Sequence, residues 1–523
     1  MKKSLFCILF VFYSISVFGQ RIMPENFEYV GAFRLPDVSG EVTWDYSGTA
    51  ITYFPDGDKQ GTSDGFPGSL FLTGHDWYQY VSEISIPSPV ISPSKNVNDL
   101  NTAVTLQVFT DIKAGMFGEL EMPTLGLTFL PDISGATSGY LYFCWGQHFQ
   151  FHEATHGFCR TDLSSPQSHG PFYFGNINNY TSSDYMFRLP DTWAKEYTNG
   201  QNLASGRFRE GQWSGFGPAL YAFSPFPNGA EPAANDTITQ ITPLLLYGLD
   251  DPTIPEIVVD DSMKMNMYNP ADQWSGAAWI SAGDKEAVIF AGTKAMGNTW
   301  YGFADGTVWP DEPPYPPVPD PPYDDRGWWC DSIHAQIIFY DTDDLADVAQ
   351  GRLKPWNPQP YAVLDINNIL FSPGFDLVRY KRWSIGAICF DFDHQHLFIV
   401  ERLADEDKSI VHVWSVSDNG TGTEETESAL PGRPELYSNY PNPFNPETAI
   451  KFTLPNSGRV HLSIYDIKGR EITNLINEDK QRGTYLAVWN GCNKNGRKVS
   501  SGLYIYRLKF KNQILSGKMV LAR

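Results

Sequence analysis

The densest group of chemically able side chains in the sequence is HFQFHEATH, residues 148–156. It places His148, His152, His156 and Glu153 within nine residues, followed by Arg160 and His169, in a chain with 10 histidines. In extended chain, His148, Gln150 and His152 share one face. Three readings are open. Neutral imidazoles would ligate a divalent metal such as zinc, although the spacing is not that of HExxH. Histidine near its ordinary pKa would move protons at neutral pH. The third is ordinary polar loop residues with no chemistry.

A second group is SGRFREGQW, where Arg207 and Arg209 offer planar forks suited to a carboxylate or sulfate, or are plain surface charges. Glu119 and Glu121 alternate in GELEMP and would share a face, while a glycosidase pair needs a particular carboxylate separation, which the sequence does not give. The acidic run from Asp56, DGDKQGTSDG, has calcium-like spacing without the closing Glu of an EF-hand, so it reads as a turn. Asp341, Asp343 and Asp344 read as turn and cap residues. The sequence holds no GxSxG, phosphate loop or dinucleotide fingerprint.

The elements that must position these groups form a repeat. GTAITYFPDGD with GSLFLTGHDW, LGLTFLPDISGATSGYLYFCWGQHF, SGAAWISAGDKEAVIFAGTKAMG and IGAICFDFDHQHLFIVERL share one pattern. Each has a small residue, a short apolar strand, a turn and a second strand. VSEISIPSP, HGFCRTDL, AQIIFYDTDDL and IVHVWSVSD supply third strands, and ALYAFSPFP hints at a degenerate fifth copy. Meanders that cannot bury both faces alone stack around an axis, so the pattern predicts a β-propeller over residues 20–420, with a pair of β-sandwiches as competitor. Its length suits six to eight blades. Equivalent loops of such a fold leave on one face. The connections between second and third strands begin at Gly74, Gly146, Gly292 and Glu401. They should bring His75, His148, Lys294 and Glu401 to one rim. The third of them, reaching about Cys330, carries Trp300, Trp328 and Trp329 in a proline-rich stretch.

Composition agrees with an all-β class: 15% aromatic, 19% charged, 45 Gly and 38 Pro. A net charge of −22 disfavours nucleic acid as partner. The start, MKKSLFCILFVFYSISVFGQ, reads as a signal peptide, residues 1–19, with Val17 and Gly19 at the cleavage positions and an apolar run short for a membrane span. Five cysteines follow it, and Cys144 with Cys159 would bridge one segment if export oxidises them.

Residues 421–437 read as a linker. Beyond it, about seven short alternating strands predict a small immunoglobulin-like β-sandwich over residues 438–523. Tyr440-Pro441-Asn442-Pro443-Phe444-Asn445-Pro446, Tyr465-Asp466, Gly469-Arg470, Trp489-Asn490-Gly491, Ser501-Gly502-Leu503-Tyr504 and Lys518-Met519 stand in order there. This segment resembles the sorting domain of the type IX secretion system, itself similar to the immunoglobulin-like domain of flagellar hook-capping proteins. The resemblance implies passage through the periplasm and across the outer membrane by that machinery, to the surface or medium.

For the large region, the reading that joins these groups is action on extracellular polysaccharide, as a uronate lyase working by β-elimination. His148 and His169 would transfer protons, with Tyr78 as an acid and Arg207 or Arg209 neutralising the carboxylate. His75, Trp77, His152, Arg160, Lys294, Trp300, Trp328, Trp329 and Glu401 would bind substrate. The architecture is similar to that of polysaccharide lyases built as His/Tyr propellers, a likeness of fold alone. The alternatives are a glycan- or protein-binding adhesion propeller and a glycoside hydrolase using Glu119, Glu121, Glu153 or Glu401. A cofactor is not specified; a divalent metal such as calcium or zinc is compatible with the residue types.

Overall fold

The computed structural model describes residues 20–58, 61, 65–118, 124–131, 139–148, 152–209, 211–249, 251–253, 258, 260–378, 381–418, 434–436, 439, 448–480, 483–511 and 513–521. The signal-peptide reading, Glu119, Glu121, the Tyr440–Pro446 motif and most of the linker lie outside them.

Between residues 27 and 416 the described residues build five large, mainly antiparallel sheets, besides a two-stranded one of Val38–Ser39 and Val42–Thr43. The first is Ile51–Phe54, Ser69–Thr73, Val81–Ser85 and Thr105–Thr110. The second is Thr124–Leu130, Tyr140–Gly146, His156–Arg160 and His169–Phe174, edged by the short parallel strand Thr237–Ile238. The third is Tyr185–Arg188, Leu203–Arg207, Ala219–Phe223 and Ile241–Leu245. The fourth is Gln273–Ala282, Lys285–Gly302, Gly327–Tyr340 and Ala362–Asp365. The fifth joins Ile385–Asp391, His396–Asp405 and Lys408–Val416 to Phe27–Arg34 from the other end of the region. The described residues thus hold five large sheets where the sequence length suggested six to eight repeats. The stray match ALYAFSPFP is a genuine third strand, in the third sheet.

The first strands of the five sheets pack on one another in cyclic order, the fifth returning to the first. Five cores fill the five gaps. Phe71, Leu127 and Phe143 lie between first and second sheets. Tyr142, Met186 and Tyr221 lie between second and third, and Phe187, Trp279 and Phe290 between third and fourth. Ile337, Phe339 and Phe390 lie between fourth and fifth, and Leu70, Leu72 and Phe398 between fifth and first. Strand Ser69–Thr73 is buried at all five positions because both its faces are covered. Its alternation divides Leu70 and Leu72 from Phe71, which feed different cores. Each such side chain contributes about 1.5–3 kcal/mol, and Phe71→Ala would cost about 3–5 kcal/mol.

The small residue that opens each repeat has a packing reason. A Cβ on Gly126 would stand 3.0 Å from the carbonyl oxygen of Asp184 in the next sheet's lead-in, and one on Gly386 would stand 2.3 Å from the carbonyl oxygen of Gly48. Only a hydrogen lets neighbouring sheets meet this closely at the axis.

Cys144 and Cys159 do not bridge. Cys144 pairs with His156 in the ladder while Cys159 pairs with Leu141, so their side chains leave opposite faces. They enter different cores, and both thiols are free. Asp341 caps helix Thr342–Ala349 through the backbone N–H of Asp343, as the turn reading expects.

The C-terminal module pairs Glu435–Leu436, Thr448–Leu454 and Gly483–Trp489 in one sheet. A second holds Gly458–Asp466, Glu471–Lys480, Gly502–Phe510 and Gln513–Leu521. Phe452, Leu462, Trp489, Tyr506 and Met519 close its core. Among the described residues no helix is long and apolar enough to cross a membrane.

Candidate functional site

The register fixes which loops share an end. Each second strand reaches, and in the fourth and fifth sheets passes, the start of its first strand at the same end: Leu72 by Ile51, Gly146 by Thr124, Gly206 by Tyr185, Thr293 by Gln273 and Glu401 by Ile385. The starts of all five first strands line one narrow axial space, at Ala50, Gly126, Tyr185, Gly276 and Ala387. Their far ends line another, at Tyr53, Phe129, Arg188, Trp279 and Phe392. The connections from second to third strands therefore leave at one end, as the repeat predicts.

That end gathers some of the expected residues. Arg209, just past Leu203–Arg207, donates to both the carbonyl oxygen and Nδ1 of His148. Arginine offers donors alone, so His148 Nδ1 is the acceptor and the ring proton sits on Nε2. The Arg209 guanidinium lies 5.8 Å from the Tyr180 ring and 5.5 Å from the Trp213 ring. Trp328 leans over the same loop; a Cβ on Gly211 would stand 2.5 Å from its indole nitrogen. Arg207 is buried and committed, donating to the carbonyls of Asn179 at 3.2 Å and Gln147 at 2.9 Å. Its Nε stands 4.0 Å from the Asp184 carboxylate. Burial pushes the Asp184 carboxyl pKa up, against the pull of Arg207.

On the neighbouring loop His75 Nδ1 accepts from the Trp77 N–H at 3.1 Å, and its ring packs between Tyr46 and Tyr78. Beside them Arg402 holds Asp76 at 2.9 Å. The fourth connection differs from its expected form. Instead of one long loop, the ladder continues outward as an arm, with Trp300 opposite Trp329 and Tyr301 opposite Trp328. Trp329 is buried and carries Arg382 at 5.3 Å from its ring, while Trp300 Nε1 donates to Phe303.

Other expected residues are placed elsewhere. His169 begins the fourth strand of the second sheet and stacks on Phe158, so it does not reach His148. Arg160 ends its strand at the opposite end of that sheet, over Tyr140 at 4.4 Å. His152 turns to the outer strand, on Gly175 O and the Tyr173 ring. His156 is a core residue stacked on Phe174 at 4.5 Å, and burial pulls its pKa down to about 3. Lys294 is buried in an ion pair with Asp272 at 2.8 Å. Glu401 is wholly buried, held by His412 Nε2 at 2.9 Å and by the backbone N–H groups of Phe371 and Ser372. Strand alternation turns these last two inward although they stand at the right height. Among the described residues no three His, Cys, Asp or Glu side chains converge to hold a metal.

Sequence reasoning missed Asp184, Tyr180 and Trp213. The third-strand match ALYAFSPFP carried the signal, because the segment before it must then be a second-to-third-strand connection, and Trp213 stands in it.

Residues 438–522 match the secretion system C-terminal sorting domain. This is the type IX sorting module, which marks the chain for export to the cell surface or beyond. No curated protein matches the chain. Among solved structures it is similar to PorZ of Porphyromonas gingivalis, described as an essential surface component of the type-IX secretion system. Identity is 13% and TM-score 0.27, over 93% of this chain and 53% of that one. It is also similar to latent dimeric PorU of the same organism, at 11% identity and TM-score 0.15, over 77% of this chain and 34% of that one. The chain thus spans about half the length of the first and a third of the second.

Proposed function

We propose that residues 27–416 form a five-bladed β-propeller displayed outside the cell, whose aromatic end holds an extracellular acidic polysaccharide without cleaving it. The cyclic packing of the first strands and the five cores in five gaps support the propeller. One observation carries the binding reading. Among the described residues six large aromatic side chains are exposed: Trp77, Tyr78, Trp213, Tyr301, Tyr315 and Tyr323. Five stand on second-to-third-strand connections and Tyr301 at the outer end of the second strand Lys285–Gly302, hence all at one end. Apolar rings left in water on one surface mark an interaction site. Flat rings suit the C–H faces of sugars, and Arg209 and Arg402 beside them bring charge and donors for carboxylate or sulfate.

Binding is favoured over cleavage by the placement of the proton-transfer groups. His148 has its lone pair occupied by Arg209, which leaves it a donor rather than a base. His169 is remote, and Arg207 is spent on backbone carbonyls. A hydrolase pair is not assembled from Glu153 and Glu401, because Glu401 is buried.

The test is a panel of uronate-containing, sulfated and neutral polysaccharides offered to the whole mature chain. Retention, unsaturated product and reducing ends are read together. Retention of acidic glycans with neither product is expected. Unsaturated product lost in His148→Ala would establish the lyase instead, and reducing ends alone a hydrolase. Absence of retention by folded protein would remove the glycan reading.

A further inference from the structure

The far end of the axis, opposite the aromatic end, opens into a second cavity of about 120 Å³. One water needs roughly 10–15 Å³ by the same measure, so this is room for a small molecule. Tyr53, Phe129, Met186, Trp279 and Phe392 give it a largely apolar wall. Arg188, the last residue of strand Tyr185–Arg188, stands on that wall.

Two of the lining residues carry an unsatisfied donor. Arg188 Nε is buried without a hydrogen-bond partner, and so is Trp279 Nε1. Among the described residues Arg188 has no carboxylate at ion-pair distance; Asp191 and Asp393 act on it from further away. Asp391, also at the cavity, is already engaged. One oxygen accepts from the N–H groups of Asp393 and His394, the other meets His394 Nδ1 at 2.8 Å. A desolvated guanidinium with an unmet donor is costly, and burial pulls its pKa down. An acceptor carrying negative charge on an apolar body would meet both donors and cover the wall.

We propose that this axial cavity binds a small monocarboxylate with an apolar body. Arg188 and the Trp279 N–H hold the carboxylate, and the hydrocarbon part lies against Phe129, Met186 and Phe392. A multiply charged anion is disfavoured, because Arg188 is the one cation among the lining residues and Asp391 and Asp393 share the cavity.

The probes are benzoate and pentanoate, with phosphate and chloride as comparison anions. Each is titrated into the whole mature chain by calorimetry, with indole fluorescence followed in parallel. Saturable one-to-one binding of a carboxylate probe is expected, with affinity reduced at least tenfold in Arg188→Met. Trp279→Phe keeps the bulk, removes the donor and should weaken binding several-fold; Trp213→Ala, at the other end, should not change it. If Arg188→Met does not fold, Arg188→Lys retains the charge without the fork and should lie between. Absence of saturable binding to folded wild type overturns the proposal. So does binding indifferent to both Arg188 and Trp279 variants, or chloride or phosphate binding as tightly as the carboxylates.

Discussion

Arg209 grips His148 twice, at the backbone carbonyl and at Nδ1, and so fixes the imidazole as an Nε2–H donor. The pair joins the second and third sheets at the end where the exposed aromatics stand. Arg209→Met should release the ring into a mixture of tautomers. Nitrogen-15 spectra of histidine-labelled protein would show the Nε2–H form in wild type and its loss in the variant. A wild-type Nδ1–H form would restore His148 as a base.

Trp213→Ala and Trp77→Ala should each weaken glycan retention about two- to twelvefold, from roughly 0.5–1.5 kcal/mol of aromatic contact. Melting temperature should barely move, since Trp77 is 76% exposed and Trp213 46%. Affinity electrophoresis beside a thermal melt separates the two effects. A large fall in melting temperature would recast these side chains as packing.

Lys294→Met should destabilise by about 3–5 kcal/mol, because it strands the Asp272 carboxylate at zero exposure. The double variant Lys294→Met/Asp272→Asn should recover much of that loss. Chemical denaturation of the two variants is the measurement. A single variant as stable as wild type would mean that the pair is solvated.

His156 gives the fold an acid-sensitive element. Its folded pKa, about 3, lies below the roughly 6.5 of an unfolded histidine. Between those values the unfolded chain binds the extra proton, so stability falls as pH drops from about 6.5 toward 3, by up to about 1.4 kcal/mol per pH unit. Buried Asp184 and Asp272, with raised pKa values, act in the opposite direction. The comparison is therefore with His156→Phe, whose denaturation midpoint should decline less steeply over that range. Parallel slopes would refute the assignment.

Four of the five sheets were legible because Gly48, Gly126, Gly276 and Gly386 open the first strands with one repeated pattern. The third sheet was concealed because Ser183 and Asp184 precede its first strand instead, and that strand is only Tyr185–Arg188. The height of each loop residue along the axis could also be read. Its facing could not: Lys294 and Glu401 stand at the expected level yet turn into the interior, since a strand hides every second side chain. Cys144 and Cys159 escaped for the same reason, one residue of parity deciding which face each joins.

The strand Phe27–Arg34 lies against Lys408–Val416, nearly four hundred residues later. A chain emerging N-terminus first must hold this segment unpaired until the last hairpin of the region exists. Contacts of such sequence separation make closure late and slow. A carrier that keeps the leading segment extended would protect an open strand edge meanwhile. A circular permutant that fuses residue 416 to residue 27 and opens the chain in another connection would turn this clasp into a local hairpin and should fold faster. Removing residues 27–34 should leave the fifth sheet with a bare edge and a marked tendency to self-associate.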